Sequence, residues 1–185
     1  MERIWNYIHY FIFLFENNAT YFFRKILSFI FYPIAQIKFL KQSIQSIEKR
    51  GSSFKEIDKV AINTLNNPEY GKSITIAGLQ MGGLMIFVEY SLFNFLQAIL
   101  GKSLIQYVWE DSLYKWIFIV MLLIIPTIIN YFLLWKNDKY LTYFKEFEKE
   151  PKIKKQKWAW ISFGVVASIV LLLIFSFWIM TNNIA

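Results

Sequence analysis

Three long apolar stretches, Ile74 to Leu100, Tyr114 to Trp135 and Trp158 to Met180, dominate this chain and leave few folds open to it. Each meets or exceeds the roughly 20 residues that cross a ~30 Å hydrocarbon core as helix, and each carries very few ionisable groups. Backbone groups inside a bilayer must be satisfied within the segment, so apolar runs of this length predict helices. The expected fold is all-α: an integral membrane bundle of three transmembrane helices, 74–100, 114–135 and 158–180, with amphipathic cytoplasmic or interfacial helices. On this reading residues 1–72 form an aromatic- and Lys-rich cytoplasmic or interfacial part. Residues 73–182 form the bundle, with a basic amphipathic loop at 136–157.

Charge sets the expected orientation. Of the 20 Lys and Arg residues, ten lie in Met1 to Lys72 and eight in Lys136 to Lys157, leaving Lys102 and Lys115 between the first two spans. The positive-inside rule then places the amino terminus in the cytoplasm, Gly101 to Leu113 outside, Lys136 to Lys157 inside and the tail from Thr181 outside. The predicted location is a bacterial inner membrane. The net charge of +7 is accounted for by topology and by attraction to anionic headgroups at the cytoplasmic face, about 1 kcal/mol per basic residue near the surface. No recognition helix or base-stacking module accompanies the charge, so nucleic acid is not an expected partner. There are no cysteines, which removes disulfides, thiol catalysis and thiolate metal sites. Ile4 to Phe15 follows Glu2 and Arg3 without net positive charge or a small-residue cleavage site, so it is not expected to be a signal peptide.

Aromatic residues crowd the first 32 positions, but Glu16, Asn17 and Asn18 interrupt one apolar run and Arg24 with Lys25 precede the next. Both runs are too short to span, and an interfacial placement is expected, with a re-entrant or fourth span as the alternative. The spacing of Ile37, Leu40, Ile44 and Ile47 predicts an amphipathic helix. Ser53 with Glu56 is a capping box for another, whose inward face is expected to be Phe54, Ile57, Ala61 and Leu65, ending at Asn66-Asn67-Pro68. After the second span, Tyr140, Tyr143, Phe144 and Phe147 line one helix face that is expected to pack on the membrane surface or on the amino-terminal helices.

Within the spans, Gly78 and Gly82 form a G-x-x-x-G, and Gly164 with Ser168 repeats the spacing at a similar depth. A close contact between spans one and three is expected, with a homodimer seam as the alternative. Gln80 and Asn130 fall at similar depths and are expected to pair, and Pro126 is placed to kink span two. Glu89 is an intramembrane carboxylate, expected to pair with Lys115 at the outer side or to stay protonated; the functional alternative is a proton or cation site. Arg3 and His9 match the Arg-x5-His spacing of HEPN ribonucleases, but Ile4 follows the arginine and no compact soluble domain surrounds the pair. No catalytic residue, cofactor site or metal site is predicted, and the chain is not expected to be an enzyme.

From Asn67-Pro68-Glu69-Tyr70 through Asn130-Tyr131-Phe132, Lys139-Tyr140-Leu141, Lys145-Glu146-Phe147 and the basic lead into Trp158, the chain resembles small uncharacterised multi-span membrane proteins of Bacteroidota. In size and hydropathy it is also similar to multi-span accessory proteins of type VI-B CRISPR loci. That resemblance implies no catalytic residue. The function expected is binding of a protein partner or assembly into a homo-oligomer, in an accessory or immunity-type role. A pore-forming, depolarising effector lined by Gln80, Glu89, Asn94 and Asn130 is the alternative.

Overall fold

The structure, a computed structural model, describes residues 2–35 and 54–184. The elements in order are α1 (Glu2–Ala35), α2 (Phe54–Leu65), α3 (Lys72–Leu100), α4 (Leu104–Glu110) and α5 (Ser112–Asn130). A π-helical turn (Tyr131–Trp135) and a 3-10 turn (Lys136–Asp138) then lead into α6 (Lys139–Glu148) and α7 (Lys152–Asn183). Among the described residues there is no strand. Helices α3, α5 and α7 are long and apolar enough to cross a membrane, in agreement with the three predicted spans.

The chain divides into two compact units, Met1–Phe11 with Gly78–Ala185, and Ile12–Ala77. The division follows contacts rather than the change of composition near Lys72, because the first turns of α1 pack with the helices that follow Gly78.

In the unit Ile12–Ala77, the expected break at Glu16-Asn17-Asn18 does not occur; α1 runs unbroken for 34 residues. Isolated Asn and Glu cost a helix only tenths of a kcal/mol, roughly 0.7 at most, and Thr20 Oγ1 donates back to the Glu16 carbonyl at 2.9 Å. In α2 the expected inward face is covered only at Leu65 among its described side chains. Ile57 and Ala61 are exposed, whereas Asp58, Ile62 and Leu65 are half-buried, and Asp58 pairs with Arg24 of α1. Helix α2 stops where Asn66-Asn67-Pro68 predicted. Asn67 Oδ1 accepts from the backbone N–H groups of Glu69 and Tyr70 at 2.7 and 3.3 Å, and the Ser73 hydroxyl donates to Asn66 Oδ1 at 3.1 Å. A Cβ at Gly71 would lie 2.5 Å from the carbonyl oxygens of Leu65 and Asn67, so this turn admits only glycine ahead of α3. The predicted stripe Ile37, Leu40, Ile44 and Ile47 lies outside the described residues.

In the other unit, Pro126 lies buried in α5, and the helix passes into the π-helical turn five residues later. Asn137 and Asp138 take positive φ of 58° and 50°, conformations that Asn and Asp tolerate best among residues with a Cβ. They kink the chain there, and α6 contacts both the π-helical and the 3-10 turn.

Candidate functional site

The best-built polar and aromatic site holds the first turns of α1 against α6 and the start of α7. The expected aromatic face of α6 is covered there: Tyr140, Phe144 and Phe147 are buried. Tyr7, itself fully buried, stacks on Phe147 at 3.6 Å and on Trp158 at 4.5 Å between ring centroids. Its hydroxyl donates to Glu150 Oε2. Glu150 Oε1 also accepts from Arg3 at 3.1 Å and from Lys154 at 2.7 Å, and Arg3 reaches Glu146 at 2.8 Å. Burial pushes the Glu150 carboxyl up, but the hydrogen bonds from Lys154, Tyr7 and Arg3 outweigh it and hold it below the usual carboxylate range. Burial first, then the hydrogen bond to Glu150, pushes the Tyr7 phenol up to about 12. A second tie joins Glu2 to Lys139 at 3.0 Å and to the Tyr143 hydroxyl at 3.3 Å.

Beside this clamp, Trp5 Nε1 donates to Asn130 Oδ1 at 2.8 Å, and Asn6 Nδ2 donates to the carbonyl of Leu133 at 3.0 Å. The latter carbonyl belongs to the π-helical turn. His9 is wholly buried in a box of Trp135, Tyr140 and Phe144, with ring centroids 5.5, 5.7 and 5.3 Å away. Neither imidazole nitrogen has a hydrogen-bond partner, nor does Asn6 Oδ1. Burial therefore pushes His9 down to about 4. Arg3 and His9 occupy different surroundings, an ionic clamp and an aromatic box. Among the described residues, no three His, Cys, Asp or Glu side chains come together to hold a metal ion.

A second polar cluster ties α3, α4 and α7. Asn94 Nδ2 donates to Ser176 Oγ at 3.1 Å. Gln97 Nε2 donates to Asn94 Oδ1 at 3.4 Å and reaches Met180 Sδ at 3.3 Å, while Gln97 Oε1 accepts from the Ile105 N–H at 3.0 Å. All three side chains, Asn94, Gln97 and Ser176, are shut off from solvent. The i, i+3 spacing of the two amides was visible in the sequence, but the matching position of Ser176 on another helix was not. Gln97→Ala should strand the Ile105 N–H and lower stability by about 1–2 kcal/mol, measured as a lower melting temperature in detergent. An unchanged melting temperature would mean that the cluster is not closed as described.

The sequence-predicted pairs fare differently. Lys115 is not brought to Glu89: its ammonium stands over the Trp109 ring at 5.4 Å, and Glu89 Oε1 is buried without a partner. Lys115 starts one turn into α5, beside the short helix α4 that carries Trp109, and this nearer π face captures it. Asn130 is held by Trp5, and Gln80 lies exposed on α3. The expected glycine seam between spans one and three does not form within the chain. A Cβ on Gly78 would meet the Trp135 ring at 2.8 Å, whereas one on Gly82, Gly83 or Gly164 would meet nothing within 4 Å. Ser168 is exposed and bonds back to the Gly164 carbonyl at 2.8 Å. The bulky rings between α3 and α7, such as Tyr90 against Phe177 and Phe95 against Phe175, fill the space that a small-residue seam would close.

Together these observations define an all-helical membrane protein with three helices long and apolar enough to span. No family model, curated protein or solved structure matches the chain.

Proposed function

We propose that this chain is a non-enzymatic multi-pass protein of a bacterial inner membrane that acts by assembling with itself or with a protein partner through helix faces it leaves open. The observation that carries this reading is the unused small-residue surface. In the most apolar windows of α3, α5 and α7, 22%, 17% and 6% of the residues are buried, and Gly82, Gly83 and Gly164 have open space above them. In lipid, helix association rests on close van der Waals packing, which small residues permit. The chain has no cysteine, so Gly164→Cys supplies a single crosslinking site. In native membranes a bismaleimide should join two copies through it, or join one copy to a partner. Gly82→Ile should reduce that product without lowering the stability of the monomer, since a Cβ there would meet nothing within 4 Å. A uniformly monomeric, uncrosslinked chain would sink the proposal.

The amino terminus belongs on the cytoplasmic side. Lys152, Lys154, Lys155 and Lys157 then open α7 at the inner face, where anionic headgroups favour them. Phosphatase fusions should be inactive at Met1 and active after Ile184; both termini on one side would overturn the assignment. A depolarising pore is the weaker reading, because two of its four lining residues, Asn94 and Asn130, are already bonded within the chain.

A further inference from the structure

Helix α3 carries one side-chain stripe that the chain itself leaves open. Gly82, Met85, Glu89, Leu92, Leu96 and Ile99 follow one another at alternating steps of three and four residues, the spacing of a helix–helix seam. At about 100° per residue these positions fall within an arc of about 100°. Leu92, Leu96 and Ile99 are 61%, 47% and 82% exposed, and a Cβ on Gly82 would meet nothing within 4 Å. Away from the stripe the helix is taken up within the chain: Ser91, Asn94 and Gln97 are buried, the last two bonded to Ser176 and to the Ile105 N–H.

The geometry points to a parallel, two-fold pairing of α3 with a second copy of this chain, in which the two Glu89 carboxyls bond to each other at the axis. Self-assembly, as proposed for the function, is presupposed here and is given its seam. Glu89 selects the occupant. Its Oε1 is shut off from water without a hydrogen-bond partner, and the Lys115 ammonium stands over Trp109 instead. Lipid tails laid on the stripe would leave this carboxyl unpaired in hydrocarbon, at a cost of several kcal/mol. Copies inserted with one topology hold their α3 helices parallel, and in a two-fold contact a residue at the axis meets its own counterpart at the same depth. A second copy therefore presents to Glu89 a carboxyl, and with a proton on each the pair makes two reciprocal O–H···O bonds. Gly82 lets the backbones approach, while Leu92, Leu96 and Ile99 supply the packing.

Oxidative crosslinking of the full chain in native membranes tests this. Leu96→Cys and Ile99→Cys should each join two copies, whereas Phe87→Cys, about 160° from Glu89 on the same helix, should not. In the Leu96→Cys chain, adding Glu89→Leu should cut the joined product about tenfold, the effect of losing two interhelical hydrogen bonds. Glu89→Gln should keep it, because two primary amides make the same reciprocal pair. Gly82→Ile, which leaves the carboxyl in place, should also reduce it. If Gly164→Cys joins copies while Leu96→Cys and Ile99→Cys do not, the α3 seam is overturned and self-assembly stands. No joined copies at any of the three positions would overturn both. A Leu96→Cys product undiminished by Glu89→Leu, or one formed with a different protein, would overturn the carboxyl pair.

Discussion

Tyr7→Ala is expected to detach the first turns of α1 and to cost about 3–5 kcal/mol, the range for losing a large buried aromatic side chain. The ring is fully buried between Phe147 and Trp158, so its removal opens a cavity and unstacks both neighbours. It also takes one donor from Glu150, a carboxylate whose side chain is only 7% exposed. Tyr7→Phe separates the two contributions. With the stack kept and only the hydroxyl lost, the expected cost is about 1–2 kcal/mol. Arg3→Ala should cost less than about 1 kcal/mol, because the guanidinium is 45% exposed and water replaces much of what it loses. Thermal unfolding in detergent measures all three, and protease cleavage within residues 2–10 should accelerate in the order Arg3→Ala, Tyr7→Phe, Tyr7→Ala. Equal losses for the two Tyr7 variants would mean that the hydrogen bond, and not the stack, holds α1 in place.

The spans were legible because hydrocarbon imposes one simple demand, length without charge, and the three stretches meet it on their own. The aromatic face of α6 was legible for a similar reason, since Tyr140, Phe144 and Phe147 recur at helical spacing and need cover. What covers them was legible only as a choice between the membrane surface and the amino-terminal helices, not as particular residues. The first turns of α1 lie more than a hundred residues away in sequence, and no local pattern marks Tyr7 or Trp5 as partners of Glu150 or Asn130. The pairs predicted from depth failed because depth fixes only one coordinate. Rotation about each helix axis decides the rest, and it was Trp109 that met Lys115, Trp135 that met Gly78 and Trp5 that met Asn130. In each case an indole, large and able to reach across, replaced a partner chosen for its chemistry. Of the small residues expected to bring spans one and three together, Gly78 faces Trp135 instead, and Gly82 and Gly164 stay open.

Acid is expected to loosen the same docked segment well above the range in which carboxylates titrate. A free imidazole takes up its proton near pH 6.5, but His9, buried in its box of three rings, does so only at about 4. Between these values the undocked state binds a proton that the docked state refuses, so the docked state is fully favoured above pH 6.5 and loses ground as pH falls toward 4. By pH 5 the loss should reach ~2 kcal/mol. Glu150, held below its ordinary range, gives way only at lower pH, which leaves the upper window to His9. His9→Phe keeps the aromatic packing and removes the two unpartnered nitrogens. It should therefore raise stability at neutral pH and flatten the dependence between pH 7.5 and 5. Melting temperatures across that interval, for wild type and variant in the same detergent, decide the matter. A wild-type chain whose stability does not change there would place a proton acceptor beside His9, and a variant that keeps the wild-type slope would move its origin to another group.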